Sequence, residues 1–293
     1  MTPAEPAPDQ LRRDPLPLRG RVALVTGVSR RAGIGYAIAR RLAAQGASLV
    51  LHHYAPHDRD QPWGADPGGL EAVIGGVTEA LADPDAVVWH QEADLSDPDA
   101  PARLIESAAE TSRFLDVLVC NHARSGGDGP LGPLTAEMLD AHWAANARSS
   151  ILLAQAFAAQ HDDSRPGRRI VFMTSGQDLG PMPGEVAYAA SKGALASITQ
   201  TLADQLADQG ITLNTVNPGP VDTGYAPPDV HEIVRRHFPR GRWGTPDDPA
   251  RLIAWLVTDD AAWITGQVIN SEGGFRRWDY GPVNETAQVL PGT

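Results

Sequence analysis

Residues 21–35 read RVALVTGVSRRAGIG, and the order of their chemistry decides the fold. Arg21–Thr26 is a short apolar run rich in branched residues, the pattern of a strand buried on both faces. It stops at Gly27, and Gly33-Ile34-Gly35 then opens a segment of helical period that runs to Gln45. Glycine permits a tight turn and lets backbone N–H groups and a helix N-terminus come close to a phosphate. Strand, glycine turn and helix in that order make the opening half of a nucleotide-binding βαβ unit.

The same alternation continues outward. Ser48–Leu51, Ala86–His90, Val117–Asn121, Arg169–Ser175, Thr212–Asn217 and Gln267–Asn270 read as further strands. Between them, 34–45, 69–81, 100–112, 136–160, 187–209 and 249–256 carry apolar residues at helical spacing. Seven strands alternating with six helices predict a single α/β domain, a Rossmann-type, doubly wound, parallel seven-stranded sheet over about residues 20–275. Residues 1–19 are expected to be a flexible N-terminal tail, and 276–293 a C-terminal tail or an arm over the site or a partner subunit. The Pro-rich stretch His57–Gly68 reads as a surface loop, and Gly126-Gly127-Asp128-Gly129 as a flexible rim.

Composition narrows the function classes. The chain has 293 residues, a net charge of −12 and a pI of about 5.1, with no basic stripe of the kind nucleic acid requires. No apolar run is long enough for a membrane span, and the N-terminus lacks the apolar stretch of a signal peptide. A lone cysteine, Cys120, excludes an internal disulfide framework and fits a cytoplasmic setting. His52, His53, His57 and Asp58 match no metal-ligand spacing, so no metal is expected. Of the 24 Lys and Arg residues, Lys192 alone is lysine. A chain that uses arginine everywhere else keeps one compact, titratable, rotatable donor there.

That lysine stands four residues after Tyr188 in Tyr188-Ala-Ala-Ser-Lys192, and Ser175 closes a strand thirteen residues before the tyrosine. On a helix, positions i and i+4 share a face. A phenol titrates near pH 10 and is a poor proton donor at neutrality; a neighbouring ammonium is expected to bring it toward the working range. A strand-end hydroxyl can bind the same substrate oxygen. Hydroxyl, tuned phenol and ammonium together are what reduction of a carbonyl requires.

These segments, in this order, resemble the short-chain dehydrogenase/reductase family over nearly the whole of 20–275. The glycine pattern is met by Thr26, Gly27, Gly33 and Gly35, two residues longer than the usual spacing, as in some 3-oxoacyl-carrier-protein-reductase-like members and the related enoyl reductases. Asp94-Leu95 matches the adenine-contacting pair. Cys120-Asn121-His122-Ala123 matches the Asn-Asn-Ala-Gly segment with only its second Asn kept. Asn217-Pro218-Gly219-Pro220-Val221-Asp222-Thr223 matches the segment that holds the nicotinamide carboxamide. Asn146, Ser175, Tyr188 and Lys192 match the catalytic tetrad. The resemblance implies Tyr188 as acid in reduction and base in oxidation. It makes Lys192 the residue that lowers the tyrosine's pKa and binds the ribose, Ser175 the group that orients the carbonyl, and Asn146 part of a proton relay. It also implies contacts to the dinucleotide from Gly27, Ser29, Arg30, Arg31, Gly33, Ile34, Gly35, His53, Asp94, Leu95, Asn121, Tyr188, Lys192, Pro218, Gly219, Val221 and Thr223. A homodimer or homotetramer built through the helices around Asn146 and Tyr188 follows from the same resemblance.

The cofactor is expected to be NADP, with NAD the alternative. Leu51-His52-His53-Tyr54 carries no carboxylate at the strand tip to hold the adenosine ribose, and Arg30 and Arg31 could pair with a 2′-phosphate. The substrate is expected to be a small carbonyl compound or alcohol. An enoyl-type reductase is the competing enzyme reading, against which the three-residue gap between Tyr188 and Lys192 argues. A cofactor-binding regulator without chemistry is the other alternative, and retention of all four tetrad positions argues against it.

Overall fold

The computed structural model describes residues 14–160 and 165–278. Its seven strands are β1 (Val22–Val25), β2 (Ser48–His53), β3 (Val88–Glu92), β4 (Val117–Cys120), β5 (Arg169–Met173), β6 (Thr212–Asn217) and β7 (Val268–Asn270). All pair in parallel, in the order β3-β2-β1-β4-β5-β6-β7. The chain order reverses between β1 and β4, where a doubly wound sheet opens a crevice beyond the strand ends.

Period-two alternation divides the core between two layers. Ala23 and Val25 of β1 pack with α1 (Ile34–Ala44), α3 (Gly69–Thr78) and α9 (Asp247–Leu256) through Ile38, Leu42, Val73 and Ile253. Val22 and Leu24 face the other way, toward α4 (Ala100–Ser112), α6 (Ser149–Ala159) and α7 (Val186–Ala207) through Leu104, Phe157 and Leu195. Burial of each such side chain contributes about 1.5–3 kcal/mol.

Three expectations need correction. The helix expected over 136–160 is broken into α5 (Ala136–His142), a π-helical turn over Trp143–Arg148, and α6. The stretch expected as a loop from His57 begins inside a short helix, α2 (Ala55–Arg59). The folded body starts before residue 20, because Leu18 is buried and its N–H donates to the Gln45 carbonyl. At the other end, Arg276–Trp278 pack over the crevice as an arm; residues 1–13 and 279–293 lie outside the described ones. A further helix, α8 (Pro228–Arg236), follows β6. Its Ile233 is exposed, and the nearby Phe238 packs on Phe275 and Trp243, so neither fills the crevice. Among the described residues no helix is long and apolar enough to cross a membrane, and no group of three or more His, Cys, Asp or Glu could hold a metal ion.

Candidate active site

A cleft of about 930 Å³ opens beyond the carboxyl ends of the strands. The glycine turn forms one wall. Gly27 has φ +73°, and a Cβ there would lie 2.8 Å from the Cα of His122; a Cβ at Gly35 would collide with the Gly27 carbonyl. The turn is braced from below. Asn121 Nδ2 donates to the carbonyls of Thr26 (3.0 Å) and Gly27 (3.2 Å). Helix α1 then starts with no side-chain cap and no acidic residue in its first turn, so its N-terminal amides stay available to an anion.

Thirteen of the expected dinucleotide contacts face this cleft: Gly27, Ser29, Arg30, Gly33, Ile34, Asp94, Leu95, Asn121, Tyr188, Pro218, Gly219, Val221 and Thr223. Arg31, Gly35, His53 and Lys192 do not. Arg31 turns outward into a two-pronged pair with Asp66, 2.8 Å at its closest. His53 sets its Nε2 3.3 Å from His90 Nδ1, while its neighbours His52 and Tyr54 line the cleft. Consecutive strand residues point to opposite faces, so His53 turns away from the cleft that His52 lines. Arg30 spans the cleft: it pairs with Asp58 at 3.1 Å, donates to the Thr223 carbonyl at 3.2 Å, and lies 5.5 Å from the centre of the Trp63 ring.

Ser175 and Tyr188 stand together on the cleft wall, with Lys192 beneath them. Lys192 Nζ lies 5.8 Å from the centre of the Tyr188 ring, so both project from one face of α7 as the i, i+4 spacing requires. The ammonium donates to the Met173 carbonyl at the end of β5 (2.9 Å), and burial brings its pKa down to about 8. The expected lowering of the tyrosine's pKa is not what this geometry produces. Desolvation in the cleft wall pushes the phenol above its ordinary value, Glu185 and Tyr225 add to the rise, and the Ser175 hydroxyl draws it back. The Lys192 charge is spent on a strand carbonyl instead of on the phenol.

Asn146 sits in the π-helical turn, fully buried. Its Oδ1 accepts from the Arg124 N–H at 2.6 Å, and its Nδ2 donates to the Arg124 carbonyl (3.1 Å) and Ser191 Oγ (3.0 Å). The wide turn, frequent at functional sites, swings this amide in from the helix axis.

A family profile described as Enoyl-(Acyl carrier protein) reductase matches residues 27–276. An uncharacterized oxidoreductase of Bacillus subtilis is 42% identical over 258 residues, 88% of this chain and 97% of that one. A short-chain dehydrogenase/reductase structure from Serratia marcescens is 33% identical, covers 88% of this chain and 99% of that one, and superposes with a TM-score of 0.75. The chain belongs to the short-chain dehydrogenase/reductase family. A Burkholderia cenocepacia member of the same family, 36% identical with a TM-score of 0.74, covers 88% of this chain and 98% of that one and was solved in complex with NADP.

As a short-chain dehydrogenase/reductase, this chain brings a histidine, His52, to its cleft. His52 Nδ1 accepts the Gly27 N–H (3.2 Å) and its Nε2–H donates to the Ala93 carbonyl (2.9 Å), which sets the tautomer. His122 has both ring nitrogens engaged. They lie 2.7 Å from Thr26 Oγ1 and 2.7 Å from Ser149 Oγ, bracing the end of β1 against the π-helical turn. Other cleft residues escaped the sequence reading. Trp63 and Gln61 arrive from the segment after α2, and Arg277, paired with Glu272, lies against Gly176 beside Ser175. No local pattern marks them, because their role comes from where the chain returns.

Proposed function

We propose that this short-chain dehydrogenase/reductase reduces a carbonyl compound to the alcohol with NADPH, Tyr188 acting as the acid. A nicotinamide dinucleotide, when bound, supplies the hydride to the carbonyl carbon. The observation that carries the reading is the grouping of Ser175, Tyr188 and Lys192 at one end of the glycine-lined cleft. Ser175 donates a hydrogen bond to the carbonyl oxygen and sets its direction. Tyr188 gives its phenolic proton to the same oxygen as the C–O double bond becomes single. The phenol is protonated at neutrality and so has a proton to give, while its rise above the ordinary value makes it a weaker acid than a tuned phenol would be. Lys192, with a pKa near 8, is a stronger acid than the phenol, so return of a proton from it to the phenolate runs downhill. Asn146 holds the Arg124 backbone and the Ser191 hydroxyl, and Ser191 in turn bonds the Tyr188 carbonyl at 2.8 Å.

NADP is favoured over NAD. The tip of β2 offers no carboxylate, the charge of Asp58 is matched by Arg30, and Arg30 is a cleft residue within reach of a phosphate. Two relatives of known structure, the Burkholderia cenocepacia enzyme and the angucycline C-6 ketoreductase LanV, bind NADP. Enoyl reduction is the second reading, favoured by the description of the matching profile.

Absorbance of NADPH and NADH, followed with a panel of ketones, aldehydes, quinones and a crotonyl thioester, tests both points. A ketone or aldehyde should be turned over with a much lower KM for NADPH than for NADH. Tyr188→Phe should reduce turnover by about a thousandfold or more while NADPH still binds. Turnover that survives this substitution removes Tyr188 from the role of acid, and exclusive turnover of the thioester replaces the reaction.

A further inference from the structure

We infer that Asp128 is a positioning residue for the tyrosine of this site, an inference that rests on reading Tyr188 as the acid. Asp128 lies in the Gly-Gly-Asp-Gly stretch between β4 and α5, the part of the sequence expected to be a flexible rim. The structure ties that stretch down. Asp128 Oδ2 accepts the N–H of Tyr188 itself at 2.7 Å. Its Oδ1 accepts the N–H of Ala187 at 3.0 Å and that of Gly129 at 2.7 Å. The Gly129 carbonyl accepts the Val186 N–H at 3.3 Å. The first turn of α7 is therefore held by one loop at three successive amides.

The charge is well matched to this duty. The opening amides of a helix have no partner within it, and an anion there is favoured by the helix dipole. Burial would raise the Asp128 carboxyl, but the amides of Tyr188, Ala187 and Gly129 outweigh it and hold the group below its ordinary value. The other end of the loop is fastened as well, since Asn146 grips both the N–H and the carbonyl of Arg124. Arg124, Ser125 and Gly126 line the cleft, whereas Asp128 does not. The loop thus links the buried asparagine of the π-helical turn to the backbone of the tyrosine. Around the Tyr188 side chain, the His142 ring meets it edge-on at 6.4 Å between centres and the Ser175 hydroxyl bonds the phenol. Asp128 is the side chain that fixes the backbone from which that phenol projects.

Asparagine cannot replace the carboxylate. Both oxygens accept N–H groups, so an amide would have to aim its own NH₂ at one of them. Asp128→Asn and Asp128→Ala should both lower kcat by about 10- to 100-fold, the loss that a displacement of roughly 1 Å in a reacting group produces. KM for the carbonyl and the dissociation constant for NADPH should stay within about twofold, because Asp128 itself does not face the cleft and Tyr188 is one of many expected dinucleotide contacts. Diacetyl and trifluoroacetophenone serve as probes, and amide exchange at Ala187 and Tyr188, read by mass spectrometry, tests the contact even if neither probe is reduced. Exchange there should quicken in both variants. Thr135→Ala, which removes the hydrogen bond from Met138 N–H at the start of α5, controls for loss of a helix cap as such, and kcat should not change.

Unchanged kcat in both Asp128 variants, or unchanged exchange where no probe is turned over, overturns the inference. So does a parallel loss of kcat, KM and NADPH affinity, which would mark a general structural role. If Asp128→Ala does not fold, Asp128→Asn decides the matter. Full activity in Tyr188→Phe would instead sink the reading on which the inference rests, so the two failures are told apart.

Discussion

A buried ammonium costs free energy unless strong acceptors surround it, and Lys192, at 2% exposure, has one neutral carbonyl. Lowering its pKa from 10.5 to about 8 corresponds to a penalty on the order of 3 kcal/mol on the charged form. Lys192→Met removes that penalty but leaves the Met173 carbonyl without its donor, worth about 1 kcal/mol. The variant is expected to be more stable than the wild type by about 1–2 kcal/mol in urea titrations at pH 7, and inactive. The native state releases this proton before the unfolded chain does, so wild-type stability rises as pH climbs from about 8 toward 10.5. The advantage of the variant should shrink over the same window. Reduction by the wild type should slow as pH passes about 8 and the ammonium is lost. A variant less stable than the wild type at pH 7 would show that the amine is held by more than the structure accounts for.

At the scale of elements, function depends on the joints between strand ends and helix starts. The end of β2 carries His52 under the glycine turn and the end of β4 carries His122 beside it, both neutral. Burial brings His52 down to about 4 and His122 well below its ordinary value. His52 can accept the Gly27 N–H only while Nδ1 is bare. The unfolded chain takes up the proton near pH 6.5 and the folded one only near 4, so the support is complete above 6.5 and is lost as pH falls through that window. Loss on the order of 3 kcal/mol is expected between these values from His52, measured as the urea midpoint against pH. His52→Gln should flatten that limb and weaken NADPH binding several-fold; a limb of unchanged slope would remove His52 as its source. The same joints explain which elements were legible beforehand. β1 and the start of α1 could be read from Arg21–Gly35 because turn chemistry is local. The π-helical turn could not, since nothing in His142-Trp-Ala-Ala-Asn146 departs from an ordinary helical pattern. It is held by tertiary bonds, Asn146 to the Arg124 backbone and Ser149 Oγ to His122.

At the scale of the whole molecule, the parallel order of the sheet brings the ends of β1, β2, β4, β5 and β6 to one rim, and the cleft is what they enclose. The surface away from the cleft leaves Trp143 and Leu139 exposed on the helix pair next to α7, which is a poor state for large apolar side chains. A second copy of the chain is expected to cover them, and light scattering should give a dimer or a tetramer. A monomer at micromolar concentration would refute this.

Apolar periodicity, the glycine turn and the placement of Ser175, Tyr188 and the single lysine were enough to determine a seven-stranded parallel sheet and one end of its cleft. Those signals are written locally along the chain, where backbone geometry sets which side chains share a face or a turn. What the ammonium bonds to, which of His52 and His53 faces inward, where Arg31 points and what restrains Asp128 were decided by tertiary structure alone. Each depends on a partner tens of residues away, and only the packed chain brings such partners within the roughly 3 Å at which a hydrogen bond acts.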